Sequence, residues 1–279
     1  MNTAALAPTE TADVPDRYRG VWTRTLLETP DVRDSTTWVH WLQTARWHAD
    51  LRVSAAAEVG RQARPLAQLS SAQRHALSLQ QGFFGRTEVV PHAHGDICTW
   101  HRRLDLQPPG PHPDAGWMEF ESADRVIETG VHGAYREVWE RLPDSVGRHM
   151  VLSRLSAADD ASAGSSTHLL LSGDWLMRVR PRRLPWPFDT EVGDTMESLL
   201  ARHPGSALGL LDFEISFGRL HRGQWSISRA SLPALEGVVV PISFHRAGPA
   251  KAEVQIGSGS TETAGTSAWR ILEWDDLDG

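Results

Sequence analysis

The chain has 279 residues, 40% of them hydrophobic, and a formal net charge of −7. That is enough apolar material to bury a real core and, at roughly 100–200 residues per domain, two domains are expected. A mildly acidic chain has no overall attraction for phosphate backbones or anionic lipid, so neither nucleic acid nor membrane is an expected partner.

Residues 1–15 are polar and rich in Thr and Pro, without a basic residue or a long apolar core. They read as a disordered leader rather than a signal peptide. No run of about 18 apolar residues occurs, so no membrane-spanning helix is expected. From there the dominant period is two, which marks strands. Val21–Leu27 and Trp38–Thr44 are rich in Trp, Val and Thr. His48–Val53 alternates, with Ala49, Leu51 and Val53 on one face and His48, Asp50 and Arg52 on the other. Ser70-Ser71-Ala72-Gln73 reads as a capping box opening a short helix that Gly82 stops. Strands resume over Ile97–Leu106, Trp117–Glu121, Arg125–Thr129, Ala134–Arg141 and Arg148–Leu155, with turns such as Pro108-Pro109-Gly110 between them. Ser156–Ser166 is small and polar, as a linker should be.

Past the linker come strands at Thr167–Ser172 and Trp175–Arg180, then a helix from Asp194 to just before Pro204. Leu208–Leu220, Gln224–Ala230, Val238–Phe244, Ala252–Ile256 and Ala268–Trp274 complete the strands. The two halves look alike in outline, although no residue-level repeat relates them. The pattern predicts a mainly β fold of two antiparallel β-barrels, each with one short helix. The expected division is a leader over 1–15, a first barrel over 16–155, a linker over 156–166 and a second barrel over 167–279.

Trp41-Leu42-Gln43-Thr44, Glu128-Thr129-Gly130, Tyr135-x-Glu137-x-Trp139 and Trp269-x-x-Leu272-Glu273, in that order and with the Phe213–Leu235 region, carry a resemblance. The chain resembles a small family of lipocalin-like proteins with two barrels, of unknown function, that has a yeast member. The likeness runs from about Tyr18 over nearly the whole chain. It implies paired calyx-like barrels and brings no catalytic residues. The segment His92–His101 has no counterpart in it.

Several local patterns could carry chemistry. In Pro91-His92-Ala93-His94-Gly95-Asp96, followed by His101 and Asp105, an extended backbone would put His92, His94 and Asp96 on one side, as a metal site requires. The spacing resembles the HxHxDH of metallo-β-lactamase-like hydrolases, but Ile97 stands in the last place. Histidines beside Gly and Pro are also ordinary turn residues. Glu128, His132 and Tyr135 could form an acid–base set inside a barrel, and His101 with Asp105 could form another. Tyr135, Glu137, Trp139 and Arg141 share a face, either a pocket wall or an outer surface. Twelve tryptophans read mainly as core, with Trp41, Trp100 and Trp139 the candidates to stack on a planar ligand. Arg178, Arg180, Arg182 and Arg183 near Trp186 could touch a phosphate, or form a solvated strand edge.

Lys251 is the one lysine and Cys98 the one cysteine, which argues against Schiff-base chemistry and excludes an intrachain disulfide. A cytoplasmic location is expected. Cys98, on an apolar strand, reads as packed. Phosphate-loop and dinucleotide-loop motifs are absent, and no cofactor is expected. The expected function is binding of a small apolar or aromatic molecule in a barrel pocket. The alternatives are a cofactor-independent isomerase, cyclase or lyase in the same pocket, a metal-dependent hydrolase or oxygenase at the His92–His101 segment, and an interaction protein whose outer face pairs copies into a homodimer.

Overall fold

Short antiparallel strands pair with their chain neighbours throughout the computed structural model, which describes residues 12–155, 166–258 and 264–275. The first set is β1 (Gly20–Glu28), β2 (Arg33–Asp34), β3 (Trp38–Gln43), β4 (Trp47–Val53), β5 (Gln81–His92), β6 (Gly95–Asp105), β7 (Asp114–Ser122), β8 (Arg125–Gly130) and β9 (Arg136–Arg141). Pairing of β1 with β9 closes this sheet, and β2 extends its rim beside the end of β1. The second set is β10 (His149–Arg154), β11 (His168–Ser172), β12 (Trp175–Arg180), β13 (Glu214–His221), β14 (Gln224–Ala230), β15 (Val239–Gly248), β16 (Lys251–Ile256) and β17 (Gly265–Asp275). It too is a closed barrel, sealed by β10 against β17. The mainly β, two-barrel fold read from the sequence is the observed one.

The helices are short: α1 (Ala55–Glu58) and α2 (Ser71–Ser78) in the first half, α3 (Met196–Arg202) and α4 (Ala207–Leu211) in the second. Each half thus has two, not one. The Ser70–Gln73 capping box forms, but α2 ends at Leu79, and Gly82 lies in β5. The cap of α3 is Thr195, boxed with Ser198, while Asp194 is tied to Ser198 and Arg202. Leu208–Leu211, expected in a strand, is helical. Among the described residues no helix is long and apolar enough to cross a membrane.

Two boundaries move and one strand is added. Val14 is buried and its N–H donates to the Ala45 carbonyl at 2.7 Å, so the last part of the expected leader is fixed in the fold. Residues 1–11, like linker residues 156–165, lie outside the described residues. His149–Arg154, expected in the first barrel, is the first strand of the second, because both its edges pair there. The longest strand, β5, is absent from the expected series. Gly82 and Gly85 break its alternation, and both are there for closeness. A Cβ on Gly85 would stand 1.9 Å from the His101 carbonyl oxygen at a bulge, and one on Gly82 would stand 2.8 Å from Ile215 of the other barrel.

Among the described residues four apolar clusters hold these elements, one of which packs the helices together through Leu69, Leu77, Met196, Leu210 and Leu211; the other three belong to the barrels. One fills the lower first barrel with Tyr18, Trp22, Trp41, Trp100 and Trp139. One fills the second with Met150, Leu169, Leu171, Trp225 and Trp269. The third joins the barrels: Ala49, Leu51, Val53 and Phe84 meet Leu170, Met177, Ile215 and Phe217. His40 lies in this joint, its ring 4.1 Å from Trp38 and 4.6 Å from Phe217; burial first, and Arg229 second, hold its pKa down to about 3. A buried carboxylate latches the same joint, since Glu273 of β17 accepts the N–H groups of Ala45 at 3.1 Å and Arg46 at 2.8 Å. Most of the arginine run is built into the protein, Arg183 alone of the four being largely solvent-exposed. Arg178 is 1% exposed against Glu214, Arg180 and Arg183 pair with Asp212, and Arg182 donates to the carbonyls of Asp105 and Leu106.

Candidate functional site: a charged cavity in the first barrel

Strand β4 decides the character of the first barrel. Its apolar residues, Trp47, Ala49, Leu51 and Val53, face outward into the joint with the second barrel. The period of two then turns His48, Asp50 and Arg52 inward. Above them lies a cavity of about 400 Å³ that opens at the barrel mouth. Leu27 and Leu79 are the only apolar side chains among the thirteen that line it.

Ion pairs organise the walls. Arg24 donates through Nη1 to Glu137 at 2.6 Å and through Nη2 to Asp34 at 3.4 Å. Arg52 donates through Nε to Asp50 at 2.8 Å. Arg102 donates to Asp105 at 2.9 Å and Asp114 at 2.6 Å, with its guanidinium 3.7 Å from the Phe83 ring. Asp34 also accepts hydrogen bonds from Thr37 and Thr36 which, against the effect of partial burial, hold its carboxyl well below the usual range.

Glu128 is the exception, for no arginine bonds it. It sits directly opposite Glu137 in the β8–β9 ladder, an arrangement that disfavours two charges. Its Oε1 accepts the Tyr135 hydroxyl at 2.7 Å and its Oε2 accepts the Trp139 indole N–H at 3.0 Å. Burial, then Glu137 and Asp114, push its carboxyl well above the usual range, with Tyr135 and Arg52 opposing. Burial and Glu128 push the Tyr135 phenol up as well. Two glycines facing each other across β7 and β8 make room for this pair. A Cβ on Gly116 would stand 2.5 Å from Glu128, and one on Gly130 would stand 2.5 Å from the Tyr135 ring.

The floor is aromatic. Trp41 packs edge-on against Trp100 at 5.4 Å and Trp139 at 5.8 Å, and lies nearly parallel to Trp22 at 6.3 Å. Trp41 and Trp139, read from sequence as stacking platforms, are 2% and 1% exposed and pack mainly on each other. Trp100 is buried with them and borders a separate outer groove of about 590 Å³, shared with His101, Asp105 and Trp186.

The remaining sequence candidates separate. Glu128 and Tyr135 meet, whereas the His132 ring stacks on His112 at 5.4 Å in an exposed turn. His101 bonds Glu88 at 2.9 Å on the outer face, and Asp105 is held by Arg102. His92, His94 and Asp96 do not converge. His92 lies edge-on to Trp117 at 5.4 Å, His94 is exposed in the hairpin turn, and Asp96 turns inward to Arg17 and to the Tyr18 hydroxyl at 2.9 Å. Among the described residues no three His, Cys, Asp or Glu side chains gather as metal ligands do. Cys98 is buried in the tryptophan cluster, where burial pushes its thiol up.

A solved structure shares this architecture. It is the crystal structure of an uncharacterized protein from Saccharomyces cerevisiae, similar with a TM-score of 0.54 and 11% identity over 91% of this chain and 98% of that one. The likeness is one of fold. No family model and no curated protein matches the chain.

Reading by sequence overlooked Arg24, Asp34, Arg52 and Asp114 as cavity residues. The alternation of β4 showed the face that Arg52 shares with Asp50. That this face points inward depends on the second barrel covering the other one, which is a tertiary fact.

Proposed function

We propose that the first barrel takes up a small polar molecule in the cavity bounded by Arg24, Arg52, Glu128, Tyr135 and Glu137. The observation that carries this reading is a barrel interior left open and lined with charge. Burying ionisable groups costs several kcal/mol each unless they are paired, and a protein built only for stability fills such a space with apolar side chains, as the second barrel does. This reading departs from the apolar or aromatic ligand that the tryptophan content suggested, because the tryptophans form the floor.

Native mass spectrometry of the protein after exposure to a small-molecule cell extract tests it. An added mass of a few hundred daltons, lost on denaturation and lost in Thr37→Trp, which places an indole in the cavity wall, is expected. A bare chain mass, or an adduct that Thr37→Trp retains, counts against the cavity.

A second reading, acid–base catalysis without a cofactor, is favoured by one feature. Glu128 is a carboxyl inclined to keep its proton, in contact with a tyrosine hydroxyl in the cavity wall. It would hand a proton to a bound molecule, with Tyr135 as relay. Conversion of the captured molecule over time, abolished in Glu128→Gln while capture persists, is expected; unchanged conversion in that variant excludes Glu128 as the acid.

A further inference from the structure

Arg24, Arg52 and Arg102 of the first barrel differ in how much of each guanidinium is engaged. Arg24 places both terminal nitrogens on carboxylates, and so does Arg102. Arg52 engages only Nε, on Asp50; among the described residues its two Nη groups have no hydrogen-bond partner. It lines the cavity, and its side chain is 19% exposed, so a solute can reach it. Pinned through Nε and lying 5.4 Å from the Phe83 ring, the guanidinium holds its Nη pair as an oriented donor fork. Such a fork matches the two oxygens of a carboxylate.

The rest of the wall has the opposite demand. Among the residues that line the cavity, Arg24 and Arg52 meet Asp34, Asp114, Glu128 and Glu137, two cations against four carboxyl groups. Of these, Glu137 gives one oxygen to Arg24 and Asp114 gives one to Arg102, and each has its second oxygen without a partner among the described residues. A simple anion would meet the fork but be repelled by the walls. A simple cation would satisfy the walls and leave the fork empty. Both are met by one molecule carrying both charges.

Resting on the cavity reading above, we infer that the ligand is a small zwitterion of the amino-acid class. Its carboxylate lies on the Arg52 fork and its ammonium group lies among Glu137 and Asp114. The alternative is that Arg52 serves only as a counter-charge that keeps the acidic wall folded.

The test is calorimetric titration of the common L-amino acids one at a time, at fixed ionic strength. For the tightest binder, its primary amide, which lacks the carboxylate, and its deaminated acid, which lacks the ammonium, are titrated as well. The amino acid is expected to bind at least about tenfold more tightly than either analogue. Arg52→Lys keeps the charge beside Asp50 and loses the fork. It should weaken the amino acid about tenfold and leave the amide unchanged. Glu137→Gln should weaken the amino acid and spare the deaminated acid. An amide or acid that binds as well as the parent, or an Arg52→Lys variant with a wild-type melting temperature and undiminished binding, overturns the inference. If no amino acid binds while the extract yields a captured molecule, the zwitterion fails and the cavity stands. If neither binds, both fail.

Discussion

On β4 of the first barrel the inward residues are His48, Asp50 and Arg52, whereas on β11 of the second they are Leu169 and Leu171. Both barrels have eight strands in the closed circuit and antiparallel pairing throughout. One is hollow and charged at its mouth; the other is filled with Leu, Val, Ile and Trp around the buried Glu214, which pairs with Arg178 and Arg180 at 3.4 Å each. Strand count and closure therefore leave open what a barrel does, and the inward residues decide it. The contrast suggests a division of labour, with the second barrel supplying stability and the first holding a site whose unfavourable charge burial that stability supports.

The strongest test of this division is Trp269→Ala. Trp269 is fully buried in the second barrel, and its truncation should cost about 3–5 kcal/mol in urea unfolding. A loss below about 1 kcal/mol would mean that the second barrel is not where stability resides. The joint between the barrels should be acid-sensitive. His40 stays neutral in the folded protein down to about pH 3, while in the unfolded chain it takes up a proton near pH 6.5. The unfolded state therefore binds more protons between those values, and stability falls as pH falls through that window. From pH 7 to pH 5 the stability difference between His40→Gln and the native chain should move about 2 kcal/mol in favour of the variant. A pH-independent difference would place His40 in contact with water.

Glu128 should have the opposite sign. Its raised folded pKa means that the native state keeps a proton which the unfolded state releases above about pH 4.5, so this group costs stability as pH rises. Glu128→Gln, which cannot ionise, should be more stable than the native chain by about 1–2 kcal/mol at pH 8, with the gain shrinking towards pH 4.5. A variant that is less stable at both pH values would show that Glu128 is ionised and usefully bonded. The smallest effects are expected outside both cores. His132→Ala and His94→Ala, in exposed turns, should each change stability by less than about 0.5 kcal/mol.

Much of this fold was legible. Alternation placed most strands, the Ser70–Gln73 box placed α2, and the two-barrel outline followed from turn spacing. What failed were features that local pattern does not encode. Gly82 and Gly85 look like breaks, yet they admit the Ile215 side chain of the other barrel and the His101 backbone. His149–Arg154 looks continuous with what precedes it, but its hydrogen bonds go to β11 and β17. At the candidate site, Glu128 with Tyr135 was readable because seven residues and one turn separate them. The Arg24–Glu137 pair spans 113 positions and follows from barrel closure alone. The histidines misled because a strand alternates faces only while it remains a strand, and His94 lies in a turn.

The outward-facing apolar stripe of β4 and Phe84 also bears on how the protein is made. A ribosome adding about 5–20 residues per second finishes β9 and then takes roughly 7 to 27 seconds to deliver β17, some 130 residues later. Throughout that interval the first barrel can close, but Ala49, Leu51, Val53 and Phe84 have nothing to cover them. The nascent chain therefore passes through a stage in which a finished barrel presents a sticky flank to the crowded space around the ribosome exit. Slower translation past β9 lengthens that exposure, and a holding chaperone shortens its consequences.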